Sequence, residues 1–280
     1  MHLLFGVVGD PVEHSLSPVI HEEFFRLTGL EGEYKKFYIQ KGMLKEGIYN
    51  LLQAGVTGFN ITIPHKTDII PLLDKIDETA QKIGAVNTVK VENGKLIGYN
   101  TDAEGYILSL QKVDPDFTKK SFVLIGAGGA AKAIYYALIK NGVKKLDICN
   151  RTLKKAEDII KEANQSVTTS KPLSFTELEE NINAYDVFIQ TTSVGMKPNI
   201  DDTPLYLKHF NGDGKIVSDI IYTPSETKFL HLAKEKGATT FNGLDMLLYQ
   251  AALAFRIWTG EMPTIDTAKE LVMKQLEGDR

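Results

Sequence analysis

The stretch Gly126-Ala127-Gly128-Gly129-Ala130-Ala131 constrains the fold more than any other part of the chain. An apolar run, 122–125, leads into it. An apolar-periodic segment with Ile134, Leu138 and Ile139 on one face follows, and Asn141-Gly142 stops it. A second apolar run, 146–149, closes a unit of the length a strand–helix–strand crossover needs. Glycines between strand and helix allow a tight turn and let backbone approach a pyrophosphate at the positive end of the helix. The usual third glycine is Ala131 here. Where an NAD site would carry Asp or Glu, this chain has Asn150-Arg151-Thr152. A guanidinium pairs with a 2′-phosphate and no carboxylate repels it, so the pattern predicts NADP rather than NAD. The competing reading is that Asn-Arg-Thr caps the helix beginning near Leu153.

At 280 residues the chain can bury two modest cores. Its net charge of -4, with dispersed basic residues, leaves no electrostatic footprint for nucleic acid. No apolar run approaches a membrane span, and MHLLFGVVGDP turns polar too early for a secretory signal. The expected partner is therefore a small molecule, with neither nucleic acid nor membrane. The single cysteine, Cys149, excludes an internal disulfide and fits a cytoplasmic, reducing compartment. It lies on a predicted strand, as a buried structural thiol would. No His/Cys cluster has ligand spacing, and no metal is expected.

In order, 3–8 reads as a strand, and Val12-Glu13-His14-Ser15-Leu16-Ser17-Pro18 follows as a loop. Pro18 suits a first helical turn and Ser17 its cap. Ser15 and Ser17 equally suit a small polar ligand. Strand 34–40, helix 42–54 and strand 58–62 give an α/β domain separate from the glycine turn. Asn60 and Thr62 share a strand face, and Lys66 begins the next turn, where ligands gather in open α/β sheets. A plain surface lysine is the alternative. Residues 74–82 read as an amphipathic helix. Residues 84–89 and 94–99 read as a hairpin around Glu92-Asn93-Gly94. Asp102 precedes a helical stretch and suits an N-cap. The polar stretch 112–120 marks a domain boundary. Beyond it come helix 153–163, a weak strand near Val167, strand 186–190 ending in Thr191-Thr192-Ser193, and strand 215–221. Residues 244–258 are apolar nearly all round, as in a helix packed between elements. Gln250 in its middle reads either as a satisfied core amide or as an amide for ligand hydroxyls. A last helix spans 264–276.

SLSP, NITIPHK, GAVNT, GYNTD, GAGGAAKA, NRT, TTSVGM, DIIYTP with its following ET, and GLDMLLYQAALAF occur in this order between Phe5 and Phe255. In this the chain resembles the NADP-dependent shikimate dehydrogenases. The resemblance implies a two-domain α/β fold. Residues 1–112 plus 243–280 would form the substrate-binding and catalytic domain, with the C-terminal helices packing back on it. Residues 113–242 would form the Rossmann-like NADP-binding domain. It implies reversible NADPH-dependent reduction of 3-dehydroshikimate to shikimate on the route to aromatic amino acids, by a monomer or homodimer. It further implies that Lys66 and Asp102 are the catalytic pair. Ser15 and Ser17 would bind the substrate carboxylate, with Tyr222 near that end. Thr62, Asn87, Asp102 and Gln250 would hold the ring hydroxyls, beside Lys66 and Asn60, which the strand-end reading already places at the substrate site. For the cofactor it implies Gly126, Ala127, Gly128, Gly129, Ala130, Asn150, Arg151, Thr152 and Lys155, with Ser193, Met196, Ile220 and Gly243 flanking the nicotinamide. Glu78 falls where some members carry an acidic residue associated with the cofactor. The neighbouring readings are a quinate/shikimate dehydrogenase with broader substrate and cofactor use, and a non-catalytic NADP-binding sensor.

Overall fold

Two six-stranded sheets carry the chain, each within its own unit. The computed structural model describes residues 2–163 and 167–278. One unit comprises Met1–Gly105 with Leu247–Arg280, and the other comprises Tyr106–Met246.

The first unit contains β1 (Leu3–Gly9), α1 (Ser17–Thr28), β2 (Gly32–Tyr38), α2 (Leu44–Gln53), β3 (Gly58–Ile61), β4 (Lys75–Ile76), α3 (Glu78–Ile83), β5 (Thr88–Glu92) and β6 (Lys95–Tyr99). The start of α4 (Asp102–Val113) also belongs to it. Its sheet runs β2-β1-β3-β5-β6-β4. β1 is parallel to β2 and β3, while β5 is antiparallel to β3 and β6. The β5–β6 turn has left-handed Asn93 and Gly94, φ 52° and 74°, as a type I′ hairpin requires. Val8, Phe59, Ile61, Val86 and Val89 bury one face of this sheet with Ile48 and Leu51 of α2.

The C-terminal helices α9 (Leu244–Thr259) and α10 (Asp266–Gly278) return to this unit, and α10 packs against α1. Trp258 fixes that return. Its ring stacks on Phe5 with centroids 4.6 Å apart, and its Nε1 donates to Val89 O at 2.9 Å. A Cβ at Gly58 would lie 2.6 Å from the indole, so only glycine leaves room for it. Burying a side chain of this size contributes about 2–3 kcal/mol.

The second unit contains the rest of α4, then β7 (Ser121–Ile125), α5 (Gly129–Lys140), β8 (Lys145–Cys149), α6 (Leu153–Ala163), β9 (Pro172–Leu173) and α7 (Phe175–Glu180). β10 (Val187–Gln190), β11 (Ile216–Asp219), α8 (Lys228–Glu235) and β12 (Thr239–Phe241) follow. Every pairing in the order β12-β11-β10-β7-β8-β9 is parallel. The central strands read as unbroken apolar runs because helices cover both faces of such a sheet.

Three local expectations change. Residues 74–82 are not one helix, because Lys75–Ile76 pairs with β6. Asp77 then caps the shorter α3, its Oδ1 accepting from Thr79 N at 2.9 Å and Ala80 N at 3.3 Å. The strand expected near Val167 is reduced to a single bridge between Thr169 and Lys145 of β8, and the paired strand itself comes later, at Pro172–Leu173. Ser17 does not cap α1. It is the first helical residue, Leu16 is the N-cap without a side-chain bond, and the Ser15 hydroxyl accepts from Ser17 N at 3.3 Å.

Candidate functional site

In the first unit, the turn after β3 presents Lys66 and the first residue of α4 presents Asp102. Lys66 Nζ donates to Asp102 Oδ2 at 2.6 Å, with the side chains 33% and 21% exposed. The pair is accessible and preformed. Lys66 is anchored through its carbonyl, which accepts from Val86 N at 2.8 Å. Neighbouring His65 donates from Nε2 to Ile39 O at 2.6 Å. Asp102 is not spent on capping. Asn100 supplies that bond, its Oδ1 accepting from Ala103 N at 3.2 Å, which leaves the Asp102 carboxylate for Lys66.

Beside the ion pair lies a network of neutral amides and hydroxyls. Asn87 is 2% exposed, and its Oδ1 accepts from Thr101 N at 2.7 Å and Thr88 Oγ1 at 3.1 Å. That fixes the amide, so Nδ2 donates to Thr101 Oγ1 at 2.9 Å and to Gln250 Oε1 at 3.4 Å. Gln250 in turn donates from Nε2 to Leu247 O at 2.8 Å. Asn60 donates from Nδ2 to Asn87 O at 3.1 Å and Thr88 Oγ1 at 3.0 Å, and its Oδ1 accepts from Tyr34 OH at 2.7 Å. Burial pushes the Tyr34 phenol well up, tempered by a bond with the Ser17 hydroxyl. His21, stacked on Tyr34 at 4.1 Å, has its imidazole pushed down to about 3 by burial and packs as a neutral ring.

Hydrogen bonds therefore join Asn60, Asn87 and Gln250 with Ser17, and join Lys66 to Asp102. Thr62 follows β3, half-buried, with its N–H donating to Val8 O at 2.9 Å. Sequence reasoning missed three members of this network: Tyr34, Thr88 and Thr101. Thr88 and Thr101 sit inside GAVNT and GYNTD, beside the residues singled out, but nothing local marks a threonine that orients an asparagine.

In the second unit, Gly126 has φ 116°, and a Cβ there would lie 2.6 Å from Thr191 Oγ1. Only glycine makes this turn. Cβ atoms at Gly128 and Gly129 would meet nothing within 4 Å. α5 begins at Gly129 with no side-chain cap, so its first-turn N–H groups are available to an anion. After β8, Asn150 donates from Nδ2 to Thr152 O at 2.9 Å. Arg151 and Lys155 are exposed, with no side-chain hydrogen bond or ion pair among the described residues. An open glycine cradle at a helix N-terminus beside a free guanidinium and ammonium fits a phosphorylated dinucleotide.

Ser193 and Met196 lie on the loop after β10, with Met196 46% exposed and its N–H donating to Ser193 O at 3.2 Å. Ile220 follows β11, and its backbone packs so closely on Gly243 that a Cβ there would collide with Ile220 O. Tyr222 belongs to this unit, and burial pushes its phenol up. Glu78 belongs to the first unit, paired with Lys82 at 2.7 Å. Cys149 is buried and its thiol is pushed up to about 12, which suits packing rather than nucleophilic chemistry.

Known proteins match nearly the full length of the chain. The shikimate dehydrogenase substrate-binding domain family matches residues 7–89. The shikimate/quinate 5-dehydrogenase family matches 108–200, and the shikimate 5′-dehydrogenase C-terminal domain matches 243–273. The NADP(+) shikimate dehydrogenase of Bacillus cytotoxicus is 48% identical over 279 residues, covering 99% of this chain and 100% of the relative. A solved shikimate dehydrogenase in complex with NADP+ is 40% identical with a TM-score of 0.91, covering 98% of this chain and 96% of that one. The Thermus thermophilus shikimate 5-dehydrogenase in complex with NADP(H) and shikimate is 34% identical with a TM-score of 0.87, covering 97% and 99%.

Proposed function

The chain belongs to the shikimate dehydrogenase (NADP+) family, and from that premise we propose that it interconverts 3-dehydroshikimate and shikimate, with Lys66 and Asp102 as its acid/base pair. The observation that carries the residue assignment is the Lys66–Asp102 contact at 2.6 Å, set beside a network able to read hydroxyls. NADPH, when bound, supplies the hydride that reduces the C3 carbonyl.

Reduction leaves negative charge on the C3 oxygen. The Lys66 ammonium, held by the Asp102 carboxylate at 2.6 Å, stabilises that oxygen and donates its proton to it. In the oxidation direction Lys66 accepts the hydroxyl proton, and Asp102 holds the amine in place for it. Asn87 and Gln250 read the ring hydroxyls. Their mutual bond is long at 3.4 Å, and a hydroxyl placed there accepts from Asn87 Nδ2 while donating to Gln250 Oε1. Thr62 and Asp102 complete the hydroxyl-reading set, Asn60 belongs to the site by holding Asn87 O and Thr88 Oγ1, and Ser15 and Ser17 take the substrate carboxylate, with Tyr222 assigned near that end.

On the cofactor, the first-turn N–H groups at Gly128-Gly129-Ala130 take the pyrophosphate. Arg151 and Lys155, with Asn150 and Thr152, take the 2′-phosphate. Ser193, Met196, Ile220 and Gly243 line the nicotinamide, with Glu78 as an outlying member. The same reading divides the chain into a substrate domain, 1–112 plus 243–280, and a cofactor domain, 113–242. It makes the protein a cytoplasmic enzyme, a monomer or homodimer.

The test follows absorbance at the NADPH band, with 3-dehydroshikimate in one direction and shikimate or quinate with NADP+ or NAD+ in the other. Turnover confined to shikimate and NADP+ is expected. Comparable turnover of quinate or NAD+ overturns the substrate and cofactor assignment. Binding of NADP+ without turnover in any pairing overturns the catalytic one.

A further inference from the structure

Gln190 and Asp219 end the adjacent strands β10 and β11, and they are 0% and 1% exposed. Each folds forward onto the loop that follows its own strand. Gln190 Oε1 accepts from Thr192 N at 2.7 Å, while its Nε2 donates to Thr192 O at 3.2 Å and Val194 O at 3.0 Å. Asp219 Oδ1 accepts from Ile221 N at 3.0 Å, and its Oδ2 accepts from Thr227 Oγ1 at 2.8 Å. Thr227 is in turn the N-cap of α8. The two strand ends are coupled, since Ile220 N donates to Gln190 O at 3.1 Å. The second loop is also tied to the segment before α9, with Gly243 N donating to Ile221 O at 3.1 Å and Asn242 Nδ2 to Ser225 O at 2.7 Å.

The strand order says which part of a dinucleotide these loops face. β8 and β9 lie on one side of β7, and β10, β11 and β12 lie on the other. The order therefore reverses between β7 and β10, where ligands bind at the carboxyl ends of open α/β sheets. The glycine turn follows β7 and Arg151 follows β8. A dinucleotide with its pyrophosphate at the first and its 2′-phosphate at the second must lay its other half toward β10 and β11.

We infer that Gln190 and Asp219 are positioning residues for the nicotinamide half of NADP. They touch no ligand themselves. They hold the backbone of residues 191–196 and 220–227 in the one shape that receives that half. This rests on the NADP reading above.

The experiment compares two ligands by calorimetric titration of the full chain: NADP+ and 2′,5′-ADP, which lacks the nicotinamide half. Gln190→Met keeps bulk but removes the amide bonds, and Thr227→Val removes the hydroxyl that Asp219 grips. Each is expected to weaken NADP+ about tenfold, the scale of a lost buried hydrogen bond, and to leave 2′,5′-ADP at its wild-type affinity. Asp219→Asn keeps an acceptor for Ile221 N–H and a donor for Thr227 Oγ1, and is expected to bind both ligands as the wild type does. In steady state, the KM for NADP+ rises in Gln190→Met and Thr227→Val while that for shikimate stays put. Unchanged NADP+ affinity in both variants overturns the inference, and so does an equal loss of both ligands. A wild-type chain that binds neither ligand signals failure of the NADP reading itself, and the inference falls with it.

Discussion

Thr101→Val tests whether the buried amide network controls substrate recognition. The Asn87 side chain has four hydrogen-bonding valences. Thr101 N at 2.7 Å and Thr88 Oγ1 at 3.1 Å occupy the oxygen, and Thr101 Oγ1 at 2.9 Å and Gln250 Oε1 at 3.4 Å receive from the nitrogen. Valine matches threonine in shape but removes the 2.9 Å acceptor, so a donor on a residue 2% exposed loses its better partner. Stranding such a donor costs about 1–3 kcal/mol. At about 2 kcal/mol, Tm falls by roughly 4–8 °C for a protein near this size. The Asn87 amide also loses one of the bonds that align its Nδ2, the donor assigned to a substrate hydroxyl. The kcat/KM for shikimate is therefore expected to fall by about ten- to a hundredfold, equivalent to roughly 1.4–2.8 kcal/mol. NADP+ affinity should not change, and Thr101→Ser should retain most of the activity. Differential scanning fluorimetry and initial rates at varied shikimate measure both effects. Wild-type Tm together with wild-type KM for shikimate refutes the reasoning. An equal loss of NADP+ affinity refutes its locality.

Lys66→Ala should lower kcat by about two to four orders of magnitude, the span of a general acid, with a smaller change in KM; a variant that keeps its kcat removes Lys66 from the mechanism. Arg151→Ala should weaken NADP+ by about ten- to a hundredfold, as the loss of a charge-assisted bond does, and leave NAD+ little changed; equal losses mean that Arg151 does not read the 2′-phosphate. Gly126→Ala puts a Cβ 2.6 Å from Thr191 Oγ1 on a backbone with φ 116°, which should destabilise the chain by about 1–3 kcal/mol and abolish NADP+ binding; wild-type affinity contradicts the cradle geometry. Burial raises the Asp219 carboxyl from 3.8 to about 7, so between those values the folded state holds a proton that the unfolded state has released. Stability contributed by this group is thus full below about pH 4 and is lost as pH rises toward 7; denaturant midpoints for wild type and Asp219→Asn should converge at low pH and separate above it in favour of Asn, and parallel profiles rule the effect out.

How far the molecule was legible depended on where its information lies. The parallel sheet of the second unit followed from 122–149, because a buried strand, a glycine turn and an amphipathic helix are local patterns. The β5–β6 hairpin was equally plain from Asn93-Gly94. Residues 74–82 misled because their amphipathic pattern suits a helix, while the two-residue β4 exists only through its pairing with β6. β9 is displaced for the same reason: the chain first touches β8 at Thr169 and pairs with it as a strand only at Pro172–Leu173. The Lys66–Asp102 pair and Gln250 were identified by motif, while their supports were not. Tyr34, Thr88 and Thr101 are ordinary residues until the fold brings them to Asn60 and Asn87.

Gln190 and Asp219 sharpen this distinction. In sequence Gln190 ends the strand read over 186–190 and Asp219 lies inside the one read over 215–221, and neither polar side chain has a role there that its own spacing reveals. In the fold each is buried with its polar atoms turned onto the following loop, because a buried polar side chain must find a partner. A residue that touches a ligand must have the chemistry that ligand demands, so a motif can preserve it visibly. A residue that shapes a backbone needs only a donor or acceptor at the right place. Several side chains meet that requirement equally well, which is why such positions emerge from the coordinates rather than from the order of residues.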